Sequence, residues 1–154
     1  MNKYMKKLFF LMVVLIMSTG AYAQIESHVK WAYAAKRISP TEAVVFLRAT
    51  IDQGWHIYSA YQKDGGPIKT SFTFTPSKDF ALTGKIEEPT PITKFEKTFG
   101  IDVTYFENSV TFQQKIKLKT PNATVVKGQL EFMTCNDKKC LPPEDIDFSV
   151  AINK

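Results

Sequence analysis

Two cysteines are the residues of this chain whose type and spacing are best suited to chemistry. Cys135 and Cys140 are the only cysteines among 154 residues, and the four residues between them allow one short-loop disulfide. On the chain-entropy model, closing a loop of about six residues stabilises a fold by about 2 kcal/mol, against nearly 5 kcal/mol for about 100 residues. A disulfide between them would therefore add little stability. A redox-active bond that forms and breaks is the alternative.

The residues between and around the cysteines bear on their chemistry. Lys138 and Lys139 would favour a thiolate and Asp137 would oppose it, so geometry decides whether their net effect stabilises or destabilises the thiolate. Spacing alone leaves a structural bridge and a redox pair equally open, because C-x4-C differs from the thioredoxin-type C-x-x-C. Zinc normally needs three or four protein ligands, and His28 and His56 are the only histidines. We therefore expect no metal and no cofactor.

The N-terminus has the features of a cleavable signal peptide. Three lysines within the first seven residues precede an apolar run from Leu8 to Met17, followed by the small-x-small sequence Ala21-Tyr22-Ala23. A membrane-spanning helix needs about 20 apolar residues, and this run is shorter. We predict a signal peptide at residues 1–23, cleaved after Ala23, and an exported domain at residues 24–154 without stable membrane insertion. An uncleaved N-terminal anchor is the alternative.

Length and charge bound what the exported domain can be. Removing 23 of the 154 residues leaves 131, enough for one domain with its own core. The net charge falls from +5 to +2, because three lysines and no acidic residue leave with the signal peptide. The basic side chains are scattered, which is not the footprint of a nucleic-acid-binding surface.

Alternation of apolar and polar residues predicts an all-β domain. The clearest strands, each with one buried face, are Val110–Leu118, Val126–Phe132 and Ile146–Ile152. About eight short strands at turn spacing, with no well-capped helical segment, predict a β-sandwich. The stretch Glu87–Gly100 is predicted to be a long loop that is functional or mobile. The other predicted strands are Glu42–Ile51, apolar enough for burial on both faces, Val29–Ile38, Trp55–Tyr61 and Ser71–Thr75.

Three segments of the chain carry a resemblance to a known family. Gly128–Pro143 holds both cysteines and places Leu-Pro-Pro after the second, Gly54–Tyr58 joins a glycine to aromatic residues, and Glu96–Gly100 lies between them. Together, over roughly Trp31 to Val150, they resemble the periplasmic N-terminal domain of DsbD, a thiol:disulfide interchange protein. The resemblance implies an immunoglobulin-like β-sandwich in the periplasm.

The resemblance also implies roles for both cysteines. Cys140 would attack the partner protein and Cys135 would resolve the resulting mixed disulfide. Electrons would come from a membrane-embedded thiol reductase of the DsbD/CcdA type and pass to periplasmic thioredoxin-like proteins. The alternative from a different class is a noncatalytic immunoglobulin-like binding module in which the disulfide is structural.

Further site residues follow from the same resemblance. Tyr58 matches a tyrosine that lines the cysteine site in the family, and His56 stands where the family has a second tyrosine. Glu96–Gly100 matches a cap loop whose aromatic ring covers the disulfide. The candidates for the cap in this chain are Phe95, Thr98 and Phe99.

Overall fold

A computed structural model describes Tyr4 and residues 26–154 of the chain. The predicted signal peptide, Tyr4 apart, lies outside the described residues, and its cleavage after Ala23 stays a prediction. In the described part of the chain, no helix is long and apolar enough to cross a membrane.

Residues 26–154 form eleven β-strands joined by turns and loops. The strands are β1 (Val29–Ser39), β2 (Glu42–Ile51), β3 (His56–Tyr58), β4 (Ser71–Phe74), β5 (Phe80–Glu87), β6 (Ile92–Glu96), β7 (Ile101–Glu107), β8 (Ser109–Leu118), β9 (Thr124–Phe132), β10 (Thr134–Cys135) and β11 (Glu144–Ile152).

The strands pair into three antiparallel sheets around one core. Their orders are β1-β2-β8-β5, β10-β3-β7-β6 and β11-β9-β4. Leu47 and Phe112 of the first sheet share a hydrophobic cluster with Ile57 of the second and Phe132 of the third. All four side chains are fully buried, so the first sheet packs against the other two. The predicted all-β sandwich is confirmed.

Strands with one buried face are found where alternation predicts them. β8, β9 and β11 contain all three of the clearest predicted strands, because every second side chain enters the core. β2 has the predicted bounds, but the prediction that both of its faces are buried is wrong beyond Ala43–Val45. Arg48 and Thr50 are exposed, because only one face of β2 meets the core there.

The prediction of a long loop at Glu87–Gly100 is wrong. The middle of that segment, Ile92–Glu96, is β6, which pairs with β7 so that Lys94 lies opposite Val103. β6 is an edge strand with its first four residues exposed, so its sequence lacks the alternation that a buried face imposes. A short turn then joins β6 to β7 beside the cysteines.

Candidate functional site

The β10-β3-β7-β6 sheet has one face on the core and one face that carries the site. Directly paired residues of an antiparallel sheet point to the same face, and neighbours along a strand point to opposite faces. Cys135 is paired with His56, and His56 with Glu107. Tyr58 is paired with Tyr105. The register therefore brings one cysteine and several polar or aromatic side chains to the outer face.

Cys135 and Cys140 form a disulfide in which the two cysteines differ sharply in exposure. Cys135 is 1% exposed and packs with Tyr58 and Val103, whereas Cys140 is exposed. Thiol–disulfide exchange requires the attacking sulfur to reach its target, so access selects between the two sulfurs. Cys140 is the one that another protein can reach.

The loop between the cysteines is held by hydrogen bonds that do not involve sulfur. The Asn136 amide donates to the Lys139 carbonyl at 2.9 Å, and the Leu141 amide donates to the Thr134 carbonyl at 2.9 Å. The Asn136 side-chain oxygen also accepts from the amides of Lys138 and Lys139, each at 2.8 Å. Sequence analysis missed Asn136, although an Asn-Asp pair at a turn often marks such side-chain capping.

A cleft of about 540 Å³ separates the cysteine loop from the turn between β6 and β7. His56 and Tyr58 line it, as the resemblance implied. Sequence analysis did not assign four further lining residues to the site, because their positions depend on cross-strand pairing: Lys94, Val103, Tyr105 and Glu107. The cleft is open to solvent beside the exposed cysteine.

The turn from Glu96 to Gly100 forms the rim opposite the cysteine loop. The amides of Phe99 and Gly100 donate to the Glu96 carbonyl at 3.2 and 2.8 Å, and Gly100 has a φ of 69°, which favours glycine. Thr98 and Phe99 line the cleft. Phe95 does not, because it points to the opposite face of β6 from Lys94 and is 58% exposed. Of the three cap candidates, two lie at the cleft.

His56 and Tyr58 form a hydrogen-bonding pair beside the disulfide. The Nε2 atom of His56 lies 3.1 Å from the Tyr58 hydroxyl, and the His56 ring packs on Tyr105 with centroids 4.7 Å apart. Burial raises the pKa of Tyr58 to about 12. Burial lowers the pKa of His56, although the negative charges of Glu107 and Asp137 act to raise it. At neutral pH both side chains are uncharged, so the pair can donate and accept hydrogen bonds without adding charge next to sulfur.

The lowered pKa of His56 predicts a specific dependence of stability on pH. Since the unfolded histidine, with a pKa near 6.5, binds a proton more readily than the folded one, the free energy of unfolding should fall as pH drops below about 6.5. Replacing His56 with Gln should make this fall smaller. Urea unfolding of both proteins between about pH 5 and 7.5 measures the difference.

His28, the other histidine, supplies a control of opposite sign. Contacts with Glu26 and then Asp52 raise the pKa of His28, so its contribution to stability is present below about 6.5 and is lost as pH rises through the raised value. As pH rises above 6.5, the free energy of unfolding of the His28→Gln variant should therefore fall less steeply than that of the wild-type protein. Equal slopes for wild-type and His56→Gln protein below pH 6.5 would contradict the assignment for His56.

Within residues 26–154 and at Tyr4, no group of three or more His, Cys, Asp or Glu side chains is arranged to hold a metal ion.

The fold and the site define an immunoglobulin-like β-sandwich that presents a disulfide at an open cleft. The sequence model of the family described as "Thiol:disulfide interchange protein DsbD, N-terminal" matches residues 26–152. The chain belongs to this family, whose members take part in thiol-disulfide exchange. The predicted resemblance and the immunoglobulin-like fold are thereby confirmed.

Solved structures support the same fold. The reduced N-terminal domain of Neisseria meningitidis DsbD is 18% identical, with a TM-score of 0.52 over 80% of this chain and 86% of that one. The N-terminal periplasmic domain of ScsB from Proteus mirabilis is 19% identical, with a TM-score of 0.55; the match covers 83% of this chain and only 47% of the ScsB chain. A structure of the Neisseria DsbD domain with the PilB N-terminal domain gives 17% identity and a TM-score of 0.54, over 84% and 88% of the two chains. No curated protein sequence matches this chain.

Proposed function

We propose that this protein is a periplasmic electron carrier that works through its Cys135/Cys140 dithiol–disulfide couple. It takes electrons from a membrane-embedded thiol reductase of the DsbD/CcdA type and passes them to thioredoxin-like acceptors. The observation that carries the proposal is the arrangement of one buried and one exposed cysteine at the edge of an open cleft. The mature domain is residues 24–154, released by cleavage after Ala23.

Transfer to an acceptor proceeds in two balanced steps. The Cys140 thiolate attacks one sulfur of the acceptor disulfide, whose S–S bond breaks so that its second sulfur leaves as a thiolate and takes a proton. The Cys135 thiolate then attacks the Cys140 sulfur, and the acceptor's first sulfur leaves. Two electrons have passed to the acceptor, and the domain has become a disulfide. A dithiol of the membrane reductase restores it by the same two steps in reverse.

The cleft residues have separate roles in this reaction. His56 and Tyr58 provide a donor and an acceptor next to the sulfurs, and Thr98 and Phe99 cap the side of the cleft that faces the cysteine loop. The Neisseria relative has been solved with another protein domain, that of PilB, which supports a protein partner. The periplasmic location is supported by the relative from Proteus mirabilis, described as a periplasmic domain.

The reduction potential tests the proposed function against a structural disulfide. Equilibration of the purified domain in glutathione buffers should give a value between the thioredoxin-like and oxidase-like ranges, about −270 to −120 mV. The reduced domain should remain folded, because the large core cluster contains no cysteine and the loop hydrogen bonds do not involve sulfur. A potential below about −300 mV, or unfolding on reduction, would favour the noncatalytic binding module.

A further inference from the structure

The cysteine loop has a second set of contacts, made with the start of the described domain. The Lys139 ammonium donates to both carboxylate oxygens of Glu26, at 2.9 and 2.7 Å. The two residues are 113 positions apart in the sequence. Lys139 directly precedes Cys140, so this ion pair ties the residue next to the exposed cysteine to a segment before β1.

The ion pair is part of a packed cluster. The Lys139 ammonium lies 5.7 Å from the centre of the Trp55 ring, and His28 stacks on the same ring at 3.9 Å. The two ring nitrogens of His28 contact Glu26 and Asp52, each at 3.0 Å. Hydrogen bonds from His28 and then Lys139 hold the pKa of Glu26 below its usual value, so the carboxylate remains ionised at neutral pH. Glu26 is therefore held in place from two sides.

The pairing changes the charge beside the exposed cysteine. If the Lys139 ammonium were unpaired, its positive charge would stabilise the thiolate of the adjacent Cys140. The Glu26 carboxylate lies 2.7 Å from that ammonium and offsets its charge. The other ionisable side chains around the cleft include both signs: Lys94, Glu96, Glu107, Asp137, Lys138 and the neutral His56. Because these surrounding charges are of both signs, pairing or freeing the Lys139 ammonium changes the net charge that acts on the Cys140 thiolate.

We propose that Glu26 is a positioning residue for thiol–disulfide exchange, which holds Lys139 and offsets its charge, and thereby sets the reactivity and the redox equilibrium of the cysteine pair. This inference rests on the proposed function. The segment before β1 thus tunes a site more than 100 residues further along the chain.

The test is a Glu26→Gln variant, which keeps the shape of the side chain and removes its charge. The freed ammonium stabilises the Cys140 thiolate and so the reduced form; we expect the equilibrium with glutathione to shift about three- to tenfold towards the dithiol. The pH profile of alkylation of the reduced protein should move to lower pH. The matched control is Glu87→Gln, which breaks another exposed ion pair, with Lys115 at 2.6 Å, and should leave the equilibrium within about twofold of wild type.

A double-mutant cycle decides whether Glu26 acts through Lys139. In a Lys139→Gln background, adding Glu26→Gln should have little further effect on the equilibrium. An undiminished effect would overturn the inference, as would equal behaviour of the Glu26→Gln and Glu87→Gln variants while wild-type protein exchanges normally. A wild-type disulfide that does not exchange with glutathione at all would instead overturn the proposed function and this inference together.

Discussion

A Cys140→Ser variant is expected to lose disulfide exchange down to the uncatalysed background. Cys140 is the exposed member of the pair, whereas Cys135 is 1% exposed beneath Tyr58 and Val103 and cannot take over the attack. The measurement is incubation of the reduced variant with an oxidised thioredoxin-fold protein, followed by mass spectrometry and non-reducing electrophoresis. No mixed disulfide and no reduction of the acceptor should be found.

The Cys135→Ser variant is the matched control, since it also removes one sulfur and the disulfide. It keeps the attacking thiol but lacks the group that resolves the mixed disulfide, so the covalent complex should accumulate. Continued reduction of the acceptor by Cys140→Ser, or trapping by that variant in place of Cys135→Ser, would overturn the assignment of attacking and resolving sulfurs.

Truncation of Phe132 is the second change with a large expected effect, this time on stability. The Phe132 side chain is fully buried, and its ring lies 5.4 Å from that of Trp31. Phe132→Ala should lower the free energy of unfolding by about 3–5 kcal/mol, because it removes apolar contacts and leaves a cavity in the core. Denaturant unfolding monitored by tryptophan fluorescence measures the loss.

Phe95→Ala supplies the control for this measurement. Phe95 is 58% exposed on an edge strand, so the same truncation there should change stability by no more than about 0.5 kcal/mol. A loss at Phe132 as small as that at Phe95 would contradict the packing described for the core.

The strands that sequence predicts well are those with one face in the core. β8, β9 and β11 combine buried apolar residues with exposed polar ones, and that alternation is readable locally. β6 is stabilised through backbone pairing with β7 while its own side chains stay exposed. Its existence depends on the partner strand, and no local pattern in Ile92–Glu96 reports it.

The candidate site divides in the same way. Cys135, Cys140 and the aromatic strand of Tyr58 are recognisable as motifs, and the resemblance to the DsbD family adds the cap turn. Glu107 comes to the cleft because β7 pairs with β3 in one particular register, which no motif records. Phe95 shows the reverse case, since it is close to the cap in sequence but is turned away from the cleft by the alternation of β6.

Glu26 illustrates why long-range contacts escape sequence analysis. An acidic residue before the first strand has no local feature that distinguishes it from any solvated carboxylate. Its contact with Lys139 arises because Trp55 and His28 form a stacked support between the segment before β1 and the cysteine loop. Only the folded chain brings these residues together.

The self-supporting cysteine loop has a consequence for how long a covalent complex with a partner lasts. Because the Asn136 and Leu141 hydrogen bonds that hold the loop do not involve sulfur, Cys135 is expected to stay beside Cys140 after the partner has been attacked. A reacting group held in place in this way acts at an effective concentration far above that of any free thiol in solution. The partner is therefore expected to dissociate soon after it is captured, so that turnover should be limited by how often partners collide with the cleft.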